Sequence, residues 1–242
     1  MTKIAVLSDI HSNRDAFDEV LRDIESLGIT SIFSLGDNIG YGPEPEAVID
    51  CLTERGIPSV LGNHELAVTD PSELDWFNPV ARESLRKTVT MLSGKAIDRI
   101  HQFPYYRVQD TYRFVHGFPP DSPVIYQFQV TGEELAETFA ALPEHLFFTG
   151  HTHYPEIIES LNGHIERSEF YRGIRQLDPQ GRYIVNVGSV GQPRDGNNNA
   201  KYVVFDPEDL TVELRYVPYD VEAVVAKILA AGLPESHATR LL

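Results

Sequence analysis

Five short apolar runs in this chain each end in a turn that carries aspartate, histidine or asparagine, and that recurrence restricts the fold more than any other feature. Residues 3–7 lead into Asp9-Ile10-His11, residues 31–34 into Leu35-Gly36-Asp37-Asn38, and residues 58–61 into Gly62-Asn63-His64-Glu65. Residues 112–115 lead into His116-Gly117, and residues 146–149 into Gly150-His151-Thr152-His153. Runs this short, bounded by glycine and polar residues, read as buried strands. Side chains just past the carboxyl ends of such strands emerge in the crevice where open α/β sheets bind ligands.

Between these runs the pattern is that of α/β winding. Residues 15–27 place Phe17, Val20, Leu21 and Ile24 at helical spacing ahead of Gly28, and a second helix is expected at about 46–54. A mostly helical segment at about 78–102 precedes a strand-rich half. There, strands are predicted at 105–109, 112–116, 146–149, 156–161, 164–167, 183–187, 201–205 and 212–217, with one helix at about 132–141. Asn162-Gly163 signals a hairpin. In the last helix Val221, Val224, Val225, Ile228 and Leu229 share a face that reads as core packing, with Asp220 as N-cap and Gly232 as stop. At 242 residues the expectation is a single domain spanning 1–242. The polar loop 191–199 is either a mobile connection or part of the site.

Charge limits what such a site can accept. With 36 acidic against 20 basic residues, a formal charge of -16 repels the phosphate backbone of long nucleic acids. Bound divalent cations reverse the sign locally, so a small phosphorylated substrate remains a suitable partner. Cys51, the only cysteine, excludes an internal disulfide framework and a thiolate zinc cluster, which fits a reducing cytoplasm. No basic, apolar, small-residue leader pattern opens the sequence, and no apolar run approaches the ~20 residues of a membrane span. A cytoplasmic protein without a membrane partner is expected.

Aspartate, histidine and asparagine at these strand ends are nitrogen and oxygen donors without sulfur, a set suited to Mn, Fe, Ni or Zn. In Asp9-Ile10-His11 and His151-Thr152-His153 the i and i+2 side chains of an extended segment would point the same way. Asn63 has a second reading as a helix N-cap. His101, His145, His164 and His237 fall outside the pattern and read as surface or core residues.

The order Asp9-x-His11, Gly36-Asp37, Gly62-Asn63-His64-Glu65, His116-Gly117, Gly150-His151-Thr152-His153 closely resembles the calcineurin-like metallophosphoesterase superfamily, and within it the small bacterial and archaeal phosphodiesterase branch. The resemblance runs from Lys3 to about Val217 and takes in Gly40-Tyr41-Gly42-Pro43 and residues 186–196. It implies a four-layer α/β/β/α sandwich of two mixed sheets flanked by helices. It also implies two divalent metal ions per subunit, the first on Asp9, His11 and His153, the second on Asn63, His116 and His151, with Asp37 bridging. His64 is implied to lie beside the substrate phosphate as proton donor or charge stabiliser; its other reading is a hydrogen-bonded residue behind the ligands. The implied activity is hydrolysis of small phosphodiesters or nucleotide-like phosphate esters by a metal-bridging hydroxide. Phe118 and Val187 depart from the branch, where serine and proline are common, and are expected to reshape the pocket mouth.

Arg194, in the 191–199 loop, has a fork of donors suited to a substrate phosphate, with a surface salt bridge as its alternative. Tyr41 and Phe118 are either stacking residues for an aromatic group or plain packing. The competing function is a non-catalytic metal-binding scaffold or regulatory protein of the same fold. Missing ligands or a missing His64 would signal it, and none is missing.

Overall fold

The computed structural model describes residues 2–242. In its first half, strands alternate with helices: β1 (Ile4–Leu7), α1 (Arg14–Ser26), β2 (Ser31–Ser34), α2 (Pro45–Glu54) and α3 (Asn63–Thr69), then α4 (Pro79–Thr90) and α5 (Gly94–Ile100). A 3-10 turn, Pro71–Trp76, links α3 to α4. The second half runs β3 (Tyr106–Gln109), β4 (Tyr112–Val115), α6 (Gly132–Ala141), β5 (Leu146–Thr149), β6 (Glu156–Leu161), β7 (His164–Glu169), β8 (Gly173–Gln176), β9 (Arg182–Asn186), β10 (Ala200–Asp206) and β11 (Thr211–Val217). It closes with α7 (Val221–Ala230) and α8 (Glu235–Thr239). Side-chain oxygens of Asn13, Asn78, Ser93, Thr131 and Asp220 accept backbone N–H groups at the starts of α1, α4, α5, α6 and α7.

Alternation within the strands sets the layers. In β1, Ile4 and Val6 join an apolar cluster with Phe114, Phe148, Val185, Val203 and Phe205, while Ala5 and Leu7 join the helix-covered cluster of Phe17, Val20, Ile24 and Val48. Phe147 and Ile184, one residue out of phase with Phe148 and Val185, pack instead under Leu135 and Phe139 of α6. The first of these clusters lies between a five-stranded sheet, β2-β1-β10-β11-β8, and a six-stranded sheet, β3-β4-β5-β9-β6-β7. Both sheets mix parallel and antiparallel pairs, and helices cover their outer faces, giving the expected α/β/β/α sandwich. No helix among the described residues is long and apolar enough to cross a membrane.

Several elements depart from expectation. Residues 58–61 form only a single parallel bridge, Ser34 to Ser59, because Pro58 has no N–H to give and the Leu61 N–H turns away to Pro104. The run still lies beside β2 and delivers residues 62–65 to the same end of the sheet. β8 escapes a reading by periodicity because it is an edge strand with three exposed residues. The apolar stripe of α7 packs through Val224 and Ile228 onto Leu233, Ala238 and Leu241 around α8, whereas Leu229 is exposed.

β1 pairs parallel with β2, β4 with β5, and β5 with β9. Their carboxyl ends therefore meet on one side of the sandwich, where the polar turns converge.

Candidate metal centre

Five of the seven predicted ligands have left-handed backbone: Asp9 at φ 54°, His11 at 49°, Asp37 at 51°, His151 at 67° and His153 at 63°. Ser12 and Tyr41, next to them, do too. Such residues each cost on the order of 1–3 kcal/mol and persist only where the surroundings fix them. Main-chain bonds do so here: His11 N–H to Asp37 O at 2.9 Å, Gly150 N–H to His116 O at 2.8 Å and Gly191 N–H to Asp9 O at 2.9 Å. The expected reason for pairing Asp9 with His11 and His151 with His153, an extended backbone, is thus corrected. These residues lie in tight turns beyond the strands, and His151 and His153 point to different partners.

Two groups of donors result. In the first, His11 Nε2 lies 3.1 Å from His153 Nε2, and Asp9 Oδ1 lies 3.6 and 3.2 Å from those two nitrogens. In the second, His116 Nε2 lies 3.2 Å from Asn63 Oδ1, 3.2 Å from His151 Nδ1 and 3.4 Å from Asp37 Oδ2. Asp37 Oδ2 also lies 3.8 Å from His11 Nε2, which connects the groups. All seven predicted ligands are therefore brought together. Asn63 is not the N-cap of α3; Gly62 is, which leaves the Asn63 side chain free to face His116.

Each imidazole in these groups gives its other ring nitrogen to a main-chain carbonyl, which can only accept. His11 Nδ1 donates to Ile39 O at 3.0 Å, His153 Nδ1 to Gln192 O at 2.5 Å, His116 Nδ1 to Leu35 O at 2.9 Å and His151 Nε2 to Val124 O at 3.2 Å. In the neutral rings the inward nitrogens then carry lone pairs, and they face carboxylate oxygens and one another. Asp9 Oδ1 is buried with no hydrogen-bond donor. A cluster of acceptors aimed at a shared point is unfavourable unless a cation occupies it, so these residues fit divalent metal.

The electrostatics agree. Burial pushes Asp9 and Asp37 up, but neighbouring histidines outweigh it and hold both well below the usual carboxylate range. Burial drives His151 down to about 3 and His153 to about 4, leaving both neutral at pH 7. Burial also opposes the His116 proton, yet Asp37 raises that ring to about 9. A metal ion competing for the His116 lone pair displaces that proton.

The frame around the ligands is equally specific. Asp9 Oδ2 accepts the His151 N–H at 3.0 Å and Asp37 Oδ1 the His64 N–H at 2.9 Å, so each carboxylate keeps one oxygen for the centre. Glu65, fully buried, accepts the N–H groups of Asp37, Asn38 and Gly62 at 2.8, 2.7 and 3.1 Å. Burial, with Asp37 beside it, pushes Glu65 up to about 7 against the pull of His116 and those donors. A Cβ at Gly150 would stand 1.8 Å from Ser8 Oγ, and one at Gly191 1.8 Å from Ile10 O, so glycine is required where these turns touch.

His64 differs from the ligand histidines. Its Nε2 lies 3.8 Å from Asp37 Oδ2, and its buried Nδ1 has no hydrogen-bond partner among the described residues. Burial pushes its pKa well below the ordinary histidine value, with Asp37 opposing. No carbonyl fixes its tautomer, so either nitrogen can carry the proton.

The rim is aromatic. Tyr41 lies against His11 and His64 at centroid distances of 4.5 and 4.6 Å, Phe77 meets His64 edge-on at 5.0 Å, and Tyr126 stacks on His151 at 3.8 Å. Arg194 bonds Gln192 Oε1 at 3.1 Å, and its charge acts on Tyr41, Tyr126 and His153, which places it at the mouth and not in a surface salt bridge. The 191–199 loop is part of the site: Gln192 supplies the His153 carbonyl, and buried Lys201 ties the loop down through Asp195 at 2.9 Å. Phe118 and Val187 do not reach the mouth, contrary to expectation; Phe118 packs with Leu135 and Phe139, and Val187 lies between the sheets.

Sequence reading missed Glu65 as a clamp, although glutamate at the third helical position is a capping signal. It missed Phe77 and Tyr126, which no local pattern marks. His237 of α8 is buried 4.7 Å from the Tyr41 ring, where burial pushes it down to about 4.

Comparison with known proteins places this geometry in a lineage. A protein of Methanocaldococcus jannaschii, named as uncharacterized protein MJ0912, is 34% identical over 98% of this chain and 96% of its own length. A solved metallophosphoesterase from Sphaerobacter thermophilus is 34% identical, with a TM-score of 0.84 over 99% of this chain and 98% of that one. The hypothetical protein PH1004 from Pyrococcus horikoshii, 20% identical, shares the fold with a TM-score of 0.77 over 100% of this chain and 98% of its own. The model of the calcineurin-like phosphoesterase superfamily domain matches residues 2–210, a span that contains every candidate ligand described above, and the chain belongs to that superfamily.

Proposed function

We propose that the protein hydrolyses small phosphodiesters or nucleotide-like phosphate esters at two divalent cations that share Asp37. One observation carries the reading: four imidazole lone pairs and two carboxylate oxygens, fixed by main-chain bonds, face one another at the carboxyl ends of the sheets. When bound by Asp9, His11, Asp37, Asn63, His116, His151 and His153, such cations would supply an activated water and neutralise charge on the entering and leaving oxygens of an in-line displacement. His64, which no carbonyl holds, would hydrogen-bond the phosphoryl group, take up a proton against the negative charge of the bound ester and pass that proton to the departing oxygen. Arg194 at the mouth pairs with a non-bridging phosphate oxygen. The charge of -16 supports the size limit, since a polymer would lay many phosphates on an acidic surface.

The test is a panel of monoesters, diesters, cyclic nucleotides, dinucleoside polyphosphates and single-stranded DNA with Mn-reconstituted protein. Diester turnover without DNA cleavage is expected; an excess of monoester turnover overturns the diester preference, and no turnover on any ester favours the scaffold. H64A is expected to retain metal while losing about 10²–10⁴-fold in kcat. The loss should grow as the leaving alcohol becomes poorer, and a flat leaving-group series removes His64 from the proton-transfer role.

A further inference from the structure

A cleft of about 270 Å³ opens beside the centre, on the His64 and His151 side, with Tyr41, Trp76, Phe77 and Tyr126 among its walls. It is continuous with the chemistry, because Phe77 touches His64 and Tyr126 stacks on the ligand His151. Most of these rings are already engaged: Tyr126 also stacks with Phe128 at 5.0 Å, and Tyr41 lies among three histidines. Trp76 is the exception. It is 85% exposed on a segment held in place by main-chain and Arg82 bonds to Asp75 and Phe77. An uncovered indole on an anchored segment at the lip of a catalytic cleft is a stacking platform of the kind that binds bases.

Two polar groups enter the same cleft. Asn78 accepts the Ala81 N–H on its side-chain oxygen at 3.0 Å, which leaves its amide N–H groups without a partner among the described residues. The Glu73 carboxylate has no hydrogen bond or ion pair among the described residues. Together they present one donor edge and one acceptor edge next to the indole. The carboxylate favours a group with N–H donors and repels further phosphates. The volume lies just below the roughly 300–1,000 Å³ of drug-sized pockets, which suits one ring system and its sugar.

We propose that this cleft is the subsite for the organic group of the ester, and that it selects a planar heteroaromatic group bearing N–H donors, with Trp76 as the stacking face and Glu73 and Asn78 reading its edge. The proposal rests on the phosphoesterase reading and names what that site takes beyond the phosphate.

Trp76 is the only tryptophan, so its fluorescence reports the cleft directly. Adenosine, which offers no ester to hydrolyse, should quench the Mn-reconstituted protein saturably, and ribose should not. For diesters of adenosine, phenol and ethanol, W76A should lower the adenosine-to-ethanol ratio of kcat/KM by about tenfold. E73Q should lower the adenosine-to-phenol ratio by roughly threefold, the size of a weakened neutral hydrogen bond. Absence of quenching together with an adenosine-to-ethanol ratio unmoved by W76A overturns the subsite and leaves the hydrolase reading standing. An adenosine-to-phenol ratio near one and unmoved by E73Q overturns the selection of a heteroaromatic group. Quenching without turnover of any ester would retain the cleft and defeat the hydrolase reading.

Discussion

The floor of the site and its rim are built on different principles. On the floor, each ligand histidine is tied to a main-chain carbonyl, and Asp9 and Asp37 each give one oxygen to a main-chain N–H. The carbonyls of Leu35 and Ile39 and the N–H groups of His64 and His151 belong to the turns that follow the strand runs, so much of the floor follows from the sheet framework. His151 and His153 also lean on carbonyls of rim segments, Val124 and Gln192. The rim comes from the Pro71–Trp76 turn, the residues before α6, the 191–199 loop and α8, and it is held by ring packing and side-chain bonds. The difference teaches where change is tolerated. Altering a floor residue is expected to disturb metal binding, whereas altering a rim residue is expected to change what is bound and leave the proposed chemistry in place.

The largest effect expected from this contrast is that of D37A, because Asp37 faces ligands of both groups. Metal content after reconstitution should fall from two ions per chain to one or none, and turnover by at least about 10²-fold. An unchanged stoichiometry of two would break the idea of a shared floor. E65A comes next, since it leaves three buried N–H groups without an acceptor. A loss of ~3 kcal/mol is expected, seen as a fall in Tm of roughly 6–12 °C for a chain of this size. A Tm within ~2 °C of the parent would show that Glu65 is not the clamp.

On the rim, R194A should raise KM about tenfold for a phosphate ester with metal content unchanged, the loss of one charge-assisted pair. A fall in metal content instead would move Arg194 from rim to floor. The smallest effect concerns His237, held down to about 4 by burial and nearby positive charge. Between that value and the unfolded value of ~6.5 the unfolded chain binds the extra proton, so this contribution to stability is lost as pH falls. At pH 5.5 it amounts to about 1 kcal/mol. Denaturant unfolding of H237L should therefore lose less stability than the parent between pH 7 and 5, and parallel profiles would count against a buried neutral His237.

The floor was legible in the sequence because its signal is local: a short apolar run followed at once by a donor and a glycine. Four of the five turns read this way, the first carries its donors as Asp9-Ile10-His11 without a glycine, and the helices whose N-caps and apolar spacing lie within one segment are legible for the same local reason. Elements without such patterning were not legible. β8 has no alternation to read, and residues 58–61 read as a strand although Pro58 limits them to one bridge. The departures at Phe118 and Val187 could be noticed in the sequence, but only packing assigns them to the core.

By itself the sequence determined the donor types, their order along the chain and the alternation of strands and helices, since these depend on residue chemistry and on periodicities of a few residues; the four-layer sandwich came from the resemblance. The split of His151 and His153 between two groups was implied by the resemblance, whereas tertiary structure alone decided that the ligand turns are left-handed and that no carbonyl holds His64. Tertiary structure also brought Trp76 and Tyr126 from distant segments to one cleft and set His237 against the Tyr41 ring. The physical reason is that a side chain's direction in a tight turn, and its neighbours across the molecule, are fixed by hydrogen bonds to strands far away in the chain. No window of sequence contains both ends of those bonds.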